Sequence, residues 1–191
     1  MLFNQNGTRK YLTVSERSAF IDAAKRASPE IETFCLTLAY TGARISEVLA
    51  LTPARVDLSA EAIIIETLKR RRRGIFRAVP IPENLIMRLD AVHNITALRN
   101  NPTESELRLW PWGRTTAWER VKHMMYGAGI PPGTAMPKAL RHAFGVSGVA
   151  ETGVPLNMMQ KWLGHAKIET TAIYADAIGA QERAIANRMW R

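Results

Sequence analysis

The chain has 191 residues, a single cysteine and a formal net charge of +9, with a sequence pI near 10.2. That length supports a core without covalent staples. The lone Cys35 excludes a disulfide framework and a cysteine-built zinc site, and no apolar run approaches the roughly 20 residues of a membrane span.

The surplus of positive charge favours a polyanionic partner, nucleic acid before membrane. "MLFNQNGTRKYL" lacks the apolar centre of a signal peptide, so a cytoplasmic protein is expected. Residues 1–12 form an N-terminal segment. "TVSE" at Thr13–Glu16 then has the form of a capping box, and Phe20, Ile21 and Ala24 follow at helical spacing. A second helix opens at Pro29 and stops at Gly42, and Cys35 inside it reads as a small buried hydrophobe. "RISEVLAL" resumes the helical period with Ile45, Val48 and Leu49 on one face, until Pro53 ends it.

"AIIIE" at Ala62–Glu66 and "IFRAVPI" at Ile75–Ile81 are β-rich runs around the cationic "TLKRRRRG", the pattern of an antiparallel hairpin. Pro80 and Pro82 suit a strand end or a sheet edge. Helices should dominate from Glu83 onward, through "NLIMRLDAV", "TTAWERVKHMMY", "KALRHAFGVSGVA", "PLNMMQKWL" and a tail with "AQERAIANRMW", while "NNPTESELRLWPWG" is a polar loop. With no repeat and no linker, residues 1–191 read as one α+β, mainly α domain with a small antiparallel sheet.

Arg44, Lys69, Lys138, Arg141, His165 and Tyr174 stand out in order, although each alone has a structural explanation. A charge run such as Lys69 to Arg73 is usually a solvated face. Lys138 and Arg141 share one helix face, which suits a common anion or plain solvation. His165 follows Gly164 and could close a helix C-terminus, and Tyr174 could be a core aromatic. Arg44 at a helix start opposes the macrodipole, which hints at a nearby anion.

The ordered set resembles the tyrosine recombinase (phage integrase) family. "TGARISEVLALTPARVDL" is similar to its first arginine box, "TLKRRRRGIFRAVPIP" to its lysine hairpin, and "PKALRHAFGVSGVAETGVPLNMMQKWLGHAKIETTAIYAD" to its second box. The resemblance spans Thr13 to Asp176 and implies the family's catalytic-domain fold, a helical bundle with a small hairpin. It implies Arg44 and Arg141 as phosphate-binding arginines, Lys69 as general acid, His165 as a helper and Tyr174 as nucleophile, with Glu47 and His142 in support. Lys138 stands where the family usually has a histidine. Arg70, Arg71, Arg72 and Arg73 would contact DNA.

The implied chemistry is attack of tyrosine on a phosphodiester, giving a 3′-phosphotyrosyl ester that a 5′ hydroxyl can reverse without ATP. Fixed arginines meet the transition-state charge, so neither metal nor cofactor is expected. Site-specific recombination is the leading expectation. A type IB topoisomerase-like relaxing enzyme and a non-cutting DNA-binding regulator are the alternatives. The expected partners are double-stranded DNA and copies of the same chain, as a tetramer on two DNA sites. Residues 175–191 form a tail helix, with Ile178, Ile185, Met189 and Trp190 near helical spacing, that packs at home or exchanges between protomers. No separate N-terminal core-binding domain is expected, and the sequence fits either a short natural member or an excised catalytic domain. A nucleoid-associated location in the cytoplasm follows from the same resemblance.

Overall fold

The structure is a computed structural model and describes residues 1–68, 74–177 and 180–190. Helix α1, Val14–Lys25, starts at the expected capping box: Glu16 N–H donates to Thr13 Oγ1, and the Glu16 carboxylate accepts from Thr13 N–H. Helix α2, Pro29–Thr41, is apolar on several sides, with Phe34, Cys35, Leu36, Leu38 and Ala39 all buried. Such a helix belongs at the centre of a bundle. The hydroxyls of Thr33, Thr37 and Thr41 are buried there without cost, because each bonds the carbonyl one turn back.

Gly42 ends α2 at φ 59°, a left-handed position, and a Cβ there would lie 2.6 Å from the Phe144 ring. The chain then makes one turn of helix, α3, Ile45–Val48. The helix expected to run on to Pro53 stops early. Leu51 instead accepts from Leu109 N–H, and Pro53–Arg55 forms a 3₁₀ turn. A residue before proline avoids the helical region, which accounts for the break at Thr52.

A three-stranded antiparallel sheet follows in the order β1 (Val56–Asp57), β2 (Ala62–Glu66) and β3 (Phe76–Pro80). Ile63 pairs with Val79, and Pro80 occupies the end of an edge strand, where its missing N–H is harmless. Alternation in β3 turns Arg77 and Val79 inward while Phe76, Ala78 and Pro80 face out.

The remaining helices are α4 (Glu83–His93), α5 (Ile95–Leu98), α6 (Arg114–Gly127), α7 (Pro137–Val146), α8 (Leu156–Leu163), α9 (Glu169–Ala172) and α10 (Ala180–Met189). The polar loop before α6 carries Leu109 and Trp110 into the core, where Trp110 Nε1 donates to Glu30 O at 3.0 Å. Beyond Val146 the chain widens into a π-helical turn, Ser147–Glu151, and the bare Gly148 admits the Met159 methyl.

Among the described residues two apolar clusters result. The larger joins α1, α2, the sheet, α4, α6 and the start of α7. The smaller gathers Leu2, Val146, Met159, Leu163, Tyr174 and Ala177. The tail helix α10 lies against the 147–151 turn of its own chain, and Met189 and Trp190 are exposed. The side chains of Ile178 and Ile185 lie outside the described residues.

Candidate active site

Two arginines close on one buried carboxylate. Glu47 accepts Arg44 N–H at 2.9 Å, Arg44 Nη1 at 2.7 Å and Arg77 Nη2 at 2.7 Å. The misplaced cation at the start of α3 is thus answered from within its own turn. Burial would raise the Glu47 carboxyl, but Arg77, Arg44 and the backbone bond hold it below the ordinary carboxylate range. Arg77 also donates to Trp162 O at 2.7 Å and to Thr67 Oγ1 at 2.9 Å, so it ties the sheet to the end of α8.

Arg141, on α7, donates Nη1 to Gly42 O at 2.8 Å and Nη2 to Leu163 O at 2.7 Å. The turn that ends α2 and the end of α8 therefore grip one guanidinium between them. Burial first, then the repulsion of Arg44, lowers Arg141 to about 10. It remains a cation at neutral pH. Arg44 and Arg141 both face the cleft, and two fixed guanidiniums there suit an anion.

Tyr174 approaches from the other side. Its ring is buried against Gly145, where a Cβ would lie 2.5 Å from the ring atoms. Its hydroxyl lies 3.3 Å from His142 Nδ1. The His165 ring runs nearly parallel to it at 18°, with centroids 6.3 Å apart. Thr171 Oγ1, one turn before Tyr174, sits 2.9 Å from His165 Nδ1 and fixes which ring edge faces the cleft. Gly164, at φ 67°, closes α8, and His165 N–H bonds Gln160 O. His165 therefore follows a helix cap and lines the cleft as well. Burial raises the Tyr174 phenol, against the pull of Arg141 and Arg44. His142 and His165 are each lowered to about 4, mainly by burial and then by neighbouring cations.

Both sides open on one cleft of about 690 Å³, lined by Arg44, Lys138, Arg141, His142, His165 and Tyr174. Glu47 lies behind it. Lys138 is exposed at the start of α7. Lys69 and Arg70, Arg71, Arg72 and Arg73 lie outside the described residues. Among the described residues no three His, Cys, Asp or Glu side chains converge as a metal set.

Sequence reasoning missed Arg77, Thr171, Arg114, Trp118 and Lys10. Arg77 had a signal: strand alternation puts it on the inward face with Val79. Arg114 and Trp118 open α6 and line the cleft, and Lys10 with Met1 reaches it from the N-terminal segment, whose Leu2 packs in the cluster around Tyr174. No local pattern in residues 1–12 announces that contact.

Fixed guanidiniums thus face a tyrosine hydroxyl across one cleft. The chain belongs to the phage integrase family, whose model matches residues 10–179. It is 28% identical over 178 residues to the type 1 fimbriae regulatory protein FimB of Escherichia coli K12, covering 88% of this chain and 85% of FimB. It is 30% identical over 179 residues to the tyrosine recombinase XerD of Mycobacterium tuberculosis, covering 86% of this chain but 56% of XerD. Among solved structures, XerA recombinase superposes with a TM-score of 0.74 at 24% identity, over 94% of this chain and 64% of XerA. The catalytic domain of bacteriophage HP1 integrase gives 0.63 at 23% identity, over 92% and 93%. The fold is that of the tyrosine recombinase catalytic domain.

Proposed function

We propose that the chain is a site-specific DNA recombinase that cuts and rejoins duplex DNA through a 3′-phosphotyrosyl intermediate. The observation that carries this reading is the shared cleft, in which the Tyr174 hydroxyl faces the fixed cations Arg44 and Arg141. A phosphodiester bound between them would meet two guanidiniums whose backs are already held by Glu47, Gly42 O and Leu163 O. Their free N–H groups then need no reorganisation as charge grows on the phosphate oxygens. His165 Nδ1 is engaged by Thr171, which leaves Nε2 to donate to a third oxygen. Lys138 adds charge at the cleft wall.

Tyr174 Oη forms the bond to phosphorus, the bond to O5′ breaks, and Lys69 supplies the proton that O5′ takes. The phosphotyrosyl ester conserves the energy of the broken bond, so the free 5′ hydroxyl of another strand can reverse the step. The solved XerH recombinase with its difH substrate and the Tn1549 integrase with transposon end DNA support duplex DNA as the partner. Arg70, Arg71, Arg72 and Arg73 are assigned to its backbone, with steep salt dependence. On α6 the exposed Trp118 and Tyr126 flank a half-buried Lys122, whose Nζ lies 4.6 Å from the Trp118 ring centroid. The working assembly is a tetramer on two sites, completed by exchange of the tail, in the nucleoid.

The test uses nicked suicide duplexes carrying a randomised central region, with covalent products separated by denaturing electrophoresis. Wild type should trap DNA in the presence of EDTA, and Tyr174→Phe should bind DNA yet trap none. Relaxation of any supercoiled plasmid without site preference would favour the topoisomerase reading. DNA binding with no adduct from wild type would favour the regulator.

A further inference from the structure

Nucleophilic attack requires the Tyr174 hydroxyl to lose its proton, and its buried phenol gives that proton up reluctantly. The cleft is lined chiefly by donors. Arg44, Arg141 and Lys138 carry only N–H groups to offer. His165 has one ring nitrogen committed to Thr171. Among the described residues, His142 alone presents a ring nitrogen within reach of the hydroxyl, Nδ1 at 3.3 Å. Its other nitrogen, Nε2, is buried without a partner, and the residue is 9% exposed. A ring that accepts at Nδ1 carries its own proton on Nε2, so one orphan polar atom is the cost of leaving a lone pair on Tyr174.

Resting on the recombinase reading above, we propose that His142 is the general base that takes the phenolic proton from Tyr174 as Oη attacks phosphorus. The Tyr174 proton moves to His142 Nδ1, the Oη–phosphorus bond forms, and the bond to O5′ breaks with its electron pair leaving on O5′. On rejoining, the 5′ hydroxyl attacks phosphorus and gives its proton to Lys69, which donated one to O5′ in cleavage, while the bond to Tyr174 Oη breaks and His142 returns its proton to the leaving phenolate.

The surroundings tie this base to substrate. The groups facing the ring are Lys138 and Arg141 on α7, His165, Tyr174, and Lys10 with the chain's amino group in the N-terminal segment. Its neighbours are mostly cationic, so an empty cleft resists an imidazolium. A phosphodiester bound among these cations cancels their repulsion and raises the ring's proton affinity. Proton uptake is thereby coupled to DNA binding.

The experiment first captures covalent adducts of the wild type from the randomised nicked duplexes, then uses a captured sequence as substrate. If wild type forms no adduct, the recombinase reading fails and this inference falls with it. With the substrate in hand, single-turnover adduct formation is followed from pH 5.5 to 9 for wild type and His142→Gln, the latter keeping a polar side chain of similar reach without a base. The variant should bind DNA normally, lose about 100-fold or more in rate at pH 7, and recover as pH rises and the phenol ionises unaided. Incorporating a ring-fluorinated tyrosine at position 174, whose phenol ionises nearer neutrality, should shrink the gap between the two proteins at least about tenfold.

A rate in His142→Gln within about threefold of wild type, or a gap that the fluorinated ring leaves unchanged, overturns the assignment. Should His142→Gln not fold, histidine nitrogen NMR of wild type decides. An unprotonated Nδ1 that shifts in Tyr174→Phe supports the base, and a protonated Nδ1 overturns it.

Discussion

The two walls of the cleft are built differently. Arg44 is anchored on the large core through Glu47, with Arg77 locked behind it at 2.7 Å from Glu47, and Arg141 is held between Gly42 O at the end of α2 and Leu163 O at the end of α8. Tyr174 belongs to the small cluster, where Leu2, Val146, Met159, Leu163 and Ala177 hold it. Among the described residues the hydroxyl makes one long hydrogen bond, at 3.3 Å. Local opening costs scale with what must be unpacked. The difference teaches a division of labour: Arg44 and Arg141 are fixed by short bonds as the chain folds, and the Tyr174 ring is held mainly by packing in the smaller cluster.

The strongest blow to this contrast falls on Glu47. Glu47→Gln should cost about 3–5 kcal/mol of folding stability, because it removes the buried negative charge to which Arg77 Nη2 and Arg44 Nη1 both donate. Urea unfolding of the variant measures it. A loss below about 1 kcal/mol would mean the arginine wall is not built on this carboxylate.

Acid probes both walls. His93, His142 and His165 are each lowered to about 4 in the folded chain, in every case chiefly by burial. An unfolded histidine titrates near 6.5. The unfolded state therefore binds more protons between about pH 6.5 and 4, and stability, constant above that window, falls as pH drops through it. Glu47, held low when folded, adds to the loss below the ordinary carboxylate value near 4.3. Unfolding midpoints from pH 8 to 4 should show this slope. His142→Gln with His165→Gln should flatten it more than His93→Gln, whose ring bonds Thr33 in the core.

Gly145→Ala tests the nucleophile wall directly. The added methyl would meet the Tyr174 ring at 2.5 Å, so the ring must shift. We expect about 1–2 kcal/mol lost to overpacking, partly offset by about 1 kcal/mol of helix propensity. Covalent adducts should fall by at least about tenfold while melting changes little. A melting loss as large as that of Glu47→Gln would erase the contrast between the walls.

These expectations also show what could be read without coordinates. The capping box at Thr13, the stop at Gly42 and the pairing of Ala62–Glu66 with the strand around Val79 follow from local chemistry, and each formed as written. Glu47 as an arginine's partner was legible from its spacing to Arg44. Arg77 as the second partner was legible only from strand alternation, since it lies far along the chain. The early end of α3, the burial of Trp110 by a polar loop and the seat of Leu2 beside Tyr174 depend on contacts between distant segments. No window of sequence contains them.

The smallest effect on stability belongs to Lys138, and it separates charge from structure at the junction of the two walls. Its side chain is exposed and, among the described residues, makes no hydrogen bond or ion pair. Lys138→Ala should therefore change folding stability by no more than about 0.5 kcal/mol. Its charge nevertheless acts in both directions across the cleft. Toward the phosphate it is a donor, and its loss should slow cleavage by about tenfold, the scale of one charged hydrogen bond. Toward His142 it is a repelling cation, second only to burial in holding that ring near 4. Lys138→Ala should move the His142 titration upward, toward the ordinary value near 6.5, in histidine NMR of the DNA-free protein. Lys138→His should restore most of the cleavage rate below about pH 6.5, where a new imidazole is charged, and less above it. A His142 titration that stays put in Lys138→Ala would show that burial alone sets it, and the two walls would then be electrically independent.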